Sequence, residues 1–197
     1  RTVEQVESWE SRPFSGGFAA LHELSDEGFS GAVVAGDTWL FMLNGRVVGV
    51  FEGDIDDYAE ESGTVYDAPH DSLPLLFSMQ ERGGSTRAKY FTNDTSIREA
   101  DQTLTDANFT GYVELSENVL SGDYYIVYYG GKQMSAAFIG QSERLVTGEE
   151  AYDRAADEVG IYEVKDVSMN ITEIPAPAEP EPEESGGVAG AAAGASA

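Results

Sequence analysis

A ten-residue segment occurs twice in this chain, and it restricts the possible folds more than any other feature. Residues 24–33 and 104–113 are identical at five of their ten positions and differ by a Ser/Thr exchange at two more. Both contain Phe-Ser/Thr-Gly, at residues 29–31 and 109–111. Such a repeat is typical of one folding unit that is used twice and buries its shared faces between the copies.

A hairpin pattern follows each copy of the segment. Residues 39–51 and 125–137 are apolar runs interrupted by Asn-Gly in the first and Gly-Gly in the second. Both dipeptides accept the positive φ angles of a two-residue type I′ turn, so we predict two antiparallel hairpins. A basic residue follows each turn, Arg46 in the first and Lys132 in the second. The distance from Phe-Ser/Thr-Gly to the hairpin turn is six residues longer in the second copy than in the first. We place these six additional residues in a loop at 117–123.

Helical patterns precede and follow the hairpins. Apolar residues at helical spacing occur at 18–24 and 97–104, and Ser96 with Glu99 has the spacing of a capping box. Further predicted elements are a helix from Asp71 or Ser72 to Gly83, a strand at 86–92, a helix from Thr147 to Gly160 and a strand at 161–167. Each copy therefore reads helix, three strands, helix, strand.

These elements predict an α+β fold made of two tandem α-β-β-β-α-β repeats. We expect the repeats to pack with pseudo-two-fold symmetry, with helices covering the antiparallel hairpins. The first repeat would comprise residues 1–94 and the second residues 95–174, together forming one compact body. Residues 175–197 are rich in Pro and Glu and then in Gly and Ala, which predicts a disordered linker. We expect a further segment beyond this linker, and a natural disordered terminus is the alternative.

The charge is extreme for a chain with this many apolar residues. Asp and Glu number 36 against 11 Lys and Arg, so the formal net charge is −25. Dispersed acids with scarce lysine predict a cytoplasmic protein of a halophilic organism, because molar salt reduces the Debye length to ~3 Å and screens the repulsion. Nucleic acid is disfavoured as a partner, because phosphate binding needs a basic surface. A local exception is a basic stretch with interleaved aromatic residues, which comprises Arg82, Arg87, Lys89 and Arg98.

No residue pattern in the chain indicates a catalytic, cofactor or metal site. Cysteine is absent, which excludes disulfides, thiolate metal ligands and a cysteine nucleophile. The two histidines, His22 and His70, lie in or beside predicted helices, and no phosphate-binding or nucleophile motif accompanies them. The acids of residues 54–61 lack the glycine and the final glutamate of a calcium loop. No apolar stretch reaches the length of a transmembrane helix.

The hairpins carry aromatic residues on both faces. Alternation places Trp39, Phe41 and Leu43 on one face of the first hairpin, and Tyr125, Val127 and Tyr129 on one face of the second. One interpretation is that the second repeat covers these faces. The other is an exposed surface for a protein partner or for self-association, because Tyr and Trp are enriched at binding hot spots. The candidate partner-binding residues are Trp39, Phe41, Tyr125 and Tyr129.

The order of these motifs resembles the PATAN-type domain, a small α+β module of prokaryotic signalling proteins. In the first copy the resemblance lies in residues 29–31 and 44–46, and in the second it lies in residues 109–111 and 130–132. Residues 1–174 also resemble an uncharacterised acidic domain family of haloarchaea. The first resemblance implies a non-enzymatic interaction or signalling module and transfers no catalytic residue, and the second implies no activity.

The sequence therefore predicts a non-enzymatic protein-interaction or signalling adaptor, with a protein partner or a second copy of itself. An alternative is a small-ligand sensor with a pocket between the repeats. An enzyme that acts through carboxylates, and a nucleic-acid binding protein, are the remaining alternatives. A contiguous exposed aromatic patch would favour the adaptor, whereas an enclosed pocket with converging polar groups would favour a sensor or an enzyme.

Overall fold

The computed structural model describes residues 1–117 and 119–177, so most of the expected linker at 175–197 lies outside the described residues. Within them the chain is an α+β protein, as predicted. Its α-helices are α1 (Thr2–Glu7), α2 (Gly17–Asp26), α3 (Ser72–Arg82), α4 (Ile97–Asp106) and α5 (Gly148–Asp157). The strands of the first half are β1 (Glu10–Phe14), β2 (Gly31–Ala35), β3 (Thr38–Leu43), β4 (Arg46–Phe51) and β5 (Gly63–Asp67). The others are β6 (Ser85–Phe91), β7 (Gly111–Glu117), β8 (Gly122–Tyr129), β9 (Lys132–Ile139), β10 (Arg144–Thr147) and β11 (Ile161–Asp166).

The strands form two sheets in which neighbouring strands run antiparallel. The first sheet has the order β1-β5-β2-β3-β4, and the second has the order β10-β9-β8-β7-β11-β6. A short 3₁₀ helix, Ile55–Tyr58, connects β4 to β5. The Tyr58 hydroxyl, which is fully buried, donates to the carbonyl oxygens of Val33 and Thr38 at 2.7 and 2.9 Å and so holds this connection against the first sheet.

Both predicted hairpins form, and their turns hold two residues each. The φ angles are 50° and 83° at Asn44 and Gly45, and 57° and 83° at Gly130 and Gly131. Positive φ at both positions is the requirement of a type I′ turn, which explains the Asn-Gly and Gly-Gly pairs. The six additional residues of the second copy are spread over three places. Strand β7 is two residues longer than β2, and β8 is two residues longer than β3. The connection between β7 and β8 is also two residues longer than that between β2 and β3.

Helix α3 lies between the two sheets. All residues from 72 to 79 are buried, so this helix is enclosed on every side. Its apolar side chains pack on Phe41 and Val48 of the first sheet and on Tyr125 and Phe138 of the second. A helix that is hydrophobic all round belongs in a protein core. The inner core of the molecule is therefore shared by both sheets and α3.

The remaining long helices cover the outer faces of the sheets. Leu21 and Leu24 of α2 pack against the outer face of the first sheet, where Leu40 and Met42 of β3 also lie. Helices α4 and α5 cover the second sheet, through residues that include Ile97, Leu104, Ala151 and Ala155. The order of layers is thus helix, sheet, helix, sheet, helices, and it agrees with the prediction that helices cover the hairpins.

The strand at 86–92 is present as β6, but it does not join the first sheet. It pairs with β11 and forms an edge of the second sheet, although it lies within residues 1–94, which we expected to form the first unit. The sequence interpretation also lacked α1, β1, β5 and β10. These elements are short, and β1 contains Pro13, which lacks a backbone N–H and is tolerated in an edge strand such as this one.

The two Phe-Ser/Thr-Gly segments form matching contacts. The carbonyl oxygen of Phe29 accepts the N–H of Gly45 at 2.8 Å, and the hydroxyl of Ser30 accepts the N–H of Asn44 at 2.9 Å. The second copy has the corresponding bonds, from Gly131 to Phe109 and from Gly130 to Thr110, both of 2.8 Å. A Cβ atom on Gly31 would lie 2.1 Å from the carbonyl oxygen of Tyr66, and one on Gly111 would lie 2.0 Å from that of Lys165. Each would also lie 2.6 Å from the ring of the phenylalanine two residues earlier. The segment thus fastens the hairpin turn, and its glycine makes room for the neighbouring strand and for the ring.

A second set of matching contacts joins the strands at one side of each sheet. Arg12 on β1 pairs with Asp67 on β5 at 2.8 Å, and its guanidinium lies 5.7 Å from the ring centroid of Phe29. The second sheet has the same arrangement at Arg87 of β6, Asp166 of β11 and Phe109, with distances of 2.9 and 5.0 Å. Strand β6 therefore occupies the place in the second sheet that β1 occupies in the first.

Candidate binding cleft

The structure places the four candidate aromatic residues around the inner core and not on a common exposed surface. Phe41 and Tyr125 are 1% and 4% exposed, and Trp39 and Tyr129 are half-buried against the same core. The Phe41 ring lies 6.5 Å from that of Phe77 on α3. The alternation of faces is as predicted, but α3 and the opposite sheet cover them. Phe41 and Tyr125 are consequently inaccessible to a partner.

The hydroxyl of Tyr125 accepts a hydrogen bond from the guanidinium of Arg1 at 3.0 Å. Burial, followed by the charge of Glu114, raises the pKa of Tyr125 to about 12, so the phenol is neutral at physiological pH. The Arg1 side chain also pairs with Asp123 and Glu143 and lies 4.6 Å from the ring centroid of Phe138. These contacts fasten the start of α1 to the second sheet and give Tyr125 a structural role.

A half-open cleft of about 690 Å³ lies where the ends of the two hairpins meet, and we call it the hairpin cleft. Its apolar side chains are Leu43, Val48, Tyr129, Met134 and Ile171. Its polar side chains are Asn44, Arg46, Asp71, Lys132 and Gln133. The first hairpin, the second hairpin, the start of α3 and the segment after β11 all contribute, so the cleft exists only in the folded arrangement of both sheets.

Arg46 and Lys132, the basic residues that follow the two hairpin turns, both line this cleft. Within residues 1–117 and 119–177, seven of the eleven bases pair with a carboxylate, and Arg46 and Lys132 are not among the seven. Both side chains are exposed. Asp71 is the acidic residue among the residues that line the cleft. In a chain with three acids for each base, two unpaired cations in one cleft form a local site of attraction for an anion.

The N-terminal end of α3 lies at this cleft, but its first N–H group is already satisfied inside the protein. The ring Nδ1 of His70 accepts the N–H of Ser72 at 3.1 Å and lies 2.7 Å from the Ser72 hydroxyl oxygen. Burial lowers the pKa of His70, which favours the neutral ring that this contact requires. His70 therefore caps the helix, where we had expected Asp71 or Ser72 to do so, and Ser72 is fully buried. Attraction of an anion would depend on the side chains of Arg46 and Lys132.

The other charged segments considered from the sequence have structural partners. Among the acids of residues 54–61, Asp54 and Asp57 cap the short 3₁₀ helix. The hydrogen bond from Thr38, followed by one from the backbone of Asp54, lowers the pKa of Asp57. No cluster of potential metal ligands occurs in the described part of the chain. In the basic stretch around β6 the ion pairs are Arg87–Asp166, Lys89–Glu117, Lys89–Glu163 and Arg98–Asp153. Arg82 has no carboxylate partner among the described residues and donates to the carbonyl oxygens of Val48 and Asn170 at 3.0 and 3.4 Å.

One feature of the sequence points to the cleft, and it lies in the basic residues rather than in the aromatic ones. Arg46 and Lys132 stand at the same position of the two hairpins, in a chain with very few bases. What the sequence did not reveal is that the two hairpin ends converge. Asp71, Gln133, Met134 and Ile171 carried no pattern that connected them to this place.

No protein-family model, curated protein or solved structure matches this chain significantly. The resemblances to a PATAN-type domain and to a haloarchaeal family therefore stay predictions. None of the helices in the described ranges is long and apolar enough to cross a bilayer.

Proposed function

We propose that this protein is a non-enzymatic interaction or signalling adaptor that binds an acidic segment of a protein partner in the hairpin cleft. The observation that carries the proposal is the convergence of Arg46 and Lys132, both without a carboxylate partner among the described residues, on one cleft. A carboxylate that enters the cleft would gain two favourable charges at once. The apolar wall, which includes Val48 and Met134, would contact the body of the bound segment.

The partner would thus contact the ends of the hairpins, and not the aromatic faces of their strands. Tyr129 is the candidate aromatic residue that lines the cleft. It is half-buried, and it remains a candidate contact because Tyr offers apolar area together with a polar hydroxyl. The halophilic cytoplasm that we expect from the composition belongs to the same proposal. There the partner segment must bind through close-range pairs, because molar salt screens attraction beyond ~3 Å.

We also propose that the two halves are tandem repeats with a pseudo-two-fold relation, in a unit that differs from the expected one. The unit would be strand, helix, three-stranded meander and final strand, with β1 and β6 as its first strands. The matching strand orders, with β1-β5-β2-β3-β4 corresponding to β6-β11-β7-β8-β9, support this division. The paired contacts of Arg12 and Arg87 support it too. In this division α3 would connect the units.

A small-anion sensor is a second candidate, and the size of the cleft favours it. Ligand sites for small molecules commonly measure ~300–1,000 Å³, and the hairpin cleft has about 690 Å³. Its half-open shape and its position across two hairpin ends suit an extended peptide better than an enclosed ligand. Competition between a peptide and inorganic phosphate would separate the two candidates.

The test is binding of a fluorescently labelled tetraglutamate peptide to the full chain, measured by anisotropy in KCl solutions in which circular dichroism shows a folded body. An Arg46→Gln/Lys132→Gln variant should bind about twofold to thirtyfold more weakly, because exposed ion pairs contribute ~0.2–1 kcal/mol each. The matched control is Arg98→Gln/Arg144→Gln, which makes the same change in net charge away from the cleft and should stay within about twofold of the original chain.

Equal weakening in both variants would show that binding depends on net charge alone and would contradict the proposed cleft. Displacement of the peptide by inorganic phosphate at a similar concentration would favour the small-anion sensor over the peptide-binding adaptor.

A further inference from the structure

The segment that follows β11 passes the hairpin cleft before the described part of the chain ends. Ile171 contributes to the wall of the cleft and is 38% exposed. The N–H of Thr172 then donates to the carbonyl oxygen of Val47 at 2.9 Å, on the edge strand β4. Three residues later, the carbonyl oxygen of Pro175 lies 2.9 Å from Nε2 of His22 on α2. From the cleft the chain thus turns around the edge of the first sheet to α2, on the outer face of that sheet.

The residues beyond this anchor carry several acids and no base. Residues 175–184 read Pro-Ala-Pro-Ala-Glu-Pro-Glu-Pro-Glu-Glu, with acids at Glu179, Glu181, Glu183 and Glu184. Four of these ten residues are proline, and a proline-rich peptide loses less conformational entropy when it binds. Its charge is opposite to that of Arg46 and Lys132, which have no carboxylate partner within residues 1–117 and 119–177. We call residues 178–184 the acidic segment.

The acidic segment is long enough to return to the cleft. Ile171 and Pro175 are four residues apart, so at most about 14 Å separates them. Six to nine residues lead from Pro175 to Glu181 and Glu184, which at ~3.1 Å per residue corresponds to about 19–28 Å. The tether is short, so the effective concentration of the segment at the cleft is of the order of millimolar.

We propose that the acidic segment of this chain occupies the hairpin cleft of the same molecule and competes there with an acidic partner. The inference rests on the proposed function, because it assigns an intramolecular occupant to the same site. A partner then binds only when it displaces the segment, so the segment sets a threshold for binding. Glu181, Glu183 and Glu184 lie within reach of Arg46 and Lys132, and they supply the carboxylates that these two cations lack within the described residues.

The experiment measures binding of a synthetic peptide with the sequence of residues 175–184 to three full-length chains. The first is the original chain. The second carries Gln at the four acids of the segment, E179Q/E181Q/E183Q/E184Q. The third is the matched control, E7Q/E10Q/E60Q/E61Q, which makes the same change in net charge at exposed acids outside the cleft. The chain with the neutral segment should bind the peptide about tenfold more tightly than the original, which is the effect of a competitor at an effective concentration of about 1 mM that binds with a Kd of about 0.1 mM. The control should bind like the original chain.

Each outcome separates this inference from the proposed function. If the original and the neutral-segment chains bind the peptide equally, and R46Q/K132Q weakens binding in both, the cleft is a binding site but the acidic segment does not occupy it. If R46Q/K132Q has no effect in the neutral-segment chain, the proposed function itself fails. A competitive effect that grows with protein concentration, together with dimers in light scattering, would show that the segment of a second copy fills the cleft, and would overturn the intramolecular proposal.

Discussion

Replacement of Phe77 by alanine tests whether the two sheets share one core. Phe77 lies on α3 and is completely buried. Its ring stacks on Trp9 with a centroid distance of 6.1 Å and an interplanar angle of 11°, and it meets Phe41 edge-on at 6.5 Å. The core around it also contains Tyr125 and Phe138 of the second sheet. Removal of the phenyl ring therefore opens a cavity between both sheets.

The expected loss of unfolding free energy follows from these contacts. Large-to-small substitution of a buried phenylalanine costs ~3–5 kcal/mol, which includes the cavity. Two aromatic neighbours, each worth ~0.5–1.5 kcal/mol beyond the area buried, place Phe77→Ala in the upper half of that range, at about 4–5 kcal/mol. For a body of this size, one kcal/mol shifts the melting temperature by roughly 2–4 °C, so a decrease of roughly 8–20 °C is expected.

Denaturant unfolding in molar KCl measures this effect with two probes. Tryptophan fluorescence reports on Trp9 and Trp39 in the first half, and hydrogen exchange with mass spectrometry reports on β7 to β9 of the second sheet. Because the core is shared, both probes should give the same midpoint before and after the substitution. The matched control is Phe91→Ala on β6, where the side chain is 39% exposed and the cost should be below about 1 kcal/mol. Equal costs for the two substitutions, or separate midpoints for the two halves, would refute the shared core.

Three further predictions concern single groups and the solvent. Tyr128, which is fully buried, donates to Asp101 at 2.5 Å, and Tyr152 donates to the other carboxylate oxygen at 3.1 Å. Asp101→Ala should therefore cost ~2–3 kcal/mol in denaturant unfolding, and clearly less in a Tyr128→Phe background. Burial lowers the pKa of His70 below its ordinary value of 6.5, so the unfolded chain takes up a proton that the folded chain resists. The free energy of unfolding, relative to that of His70→Asn, should fall as the pH decreases below about 6.5, and a constant difference would contradict the helix-capping role. The net charge of −25 should make the melting temperature rise from dilute buffer to molar KCl, and an unchanged melting curve would contradict the halophilic interpretation.

Much of the fold could be predicted because its elements depend on neighbouring residues. The turns at residues 44–45 and 130–131 need positive φ, and the sequence supplies residues that accept it. The N–H of Glu99 donates to the Ser96 hydroxyl at 3.1 Å, as the spacing of these residues predicted. The Thr147 side chain, in contrast, forms no capping bond at the start of α5, although its spacing to Glu150 is the same. Spacing permits such a bond, and the local orientation of the side chain decides whether it forms.

The candidate site was predicted less completely, because exposure cannot be read from alternation alone. The side chains of β3 and β8 are divided between two faces as expected from the sequence, and both faces are apolar. A strand face that packs in the interior and one that binds a partner have the same composition. From the sequence, Phe41 and Tyr125 were therefore equally consistent with burial in the core and with contact to a partner. The run of apolar residues in α3, at Leu73, Leu75, Leu76, Phe77 and Met79, indicates a buried helix, but it does not show which elements bury it.

The amino-acid sequence by itself determined the two hairpins, the faces of their strands, most of the helices, the acidic charge and the matching positions of Arg46 and Lys132. These features depend on contacts between residues close in the chain, or on composition. The tertiary structure alone decided that β6 joins β11, that α3 lies between the sheets and that the two hairpin ends form one cleft. Those outcomes join residues about 70 to 90 positions apart, such as Arg87 with Asp166 and Arg46 with Lys132. Which distant residues come into contact depends on how the whole molecule packs. A local sequence pattern therefore does not predict these contacts.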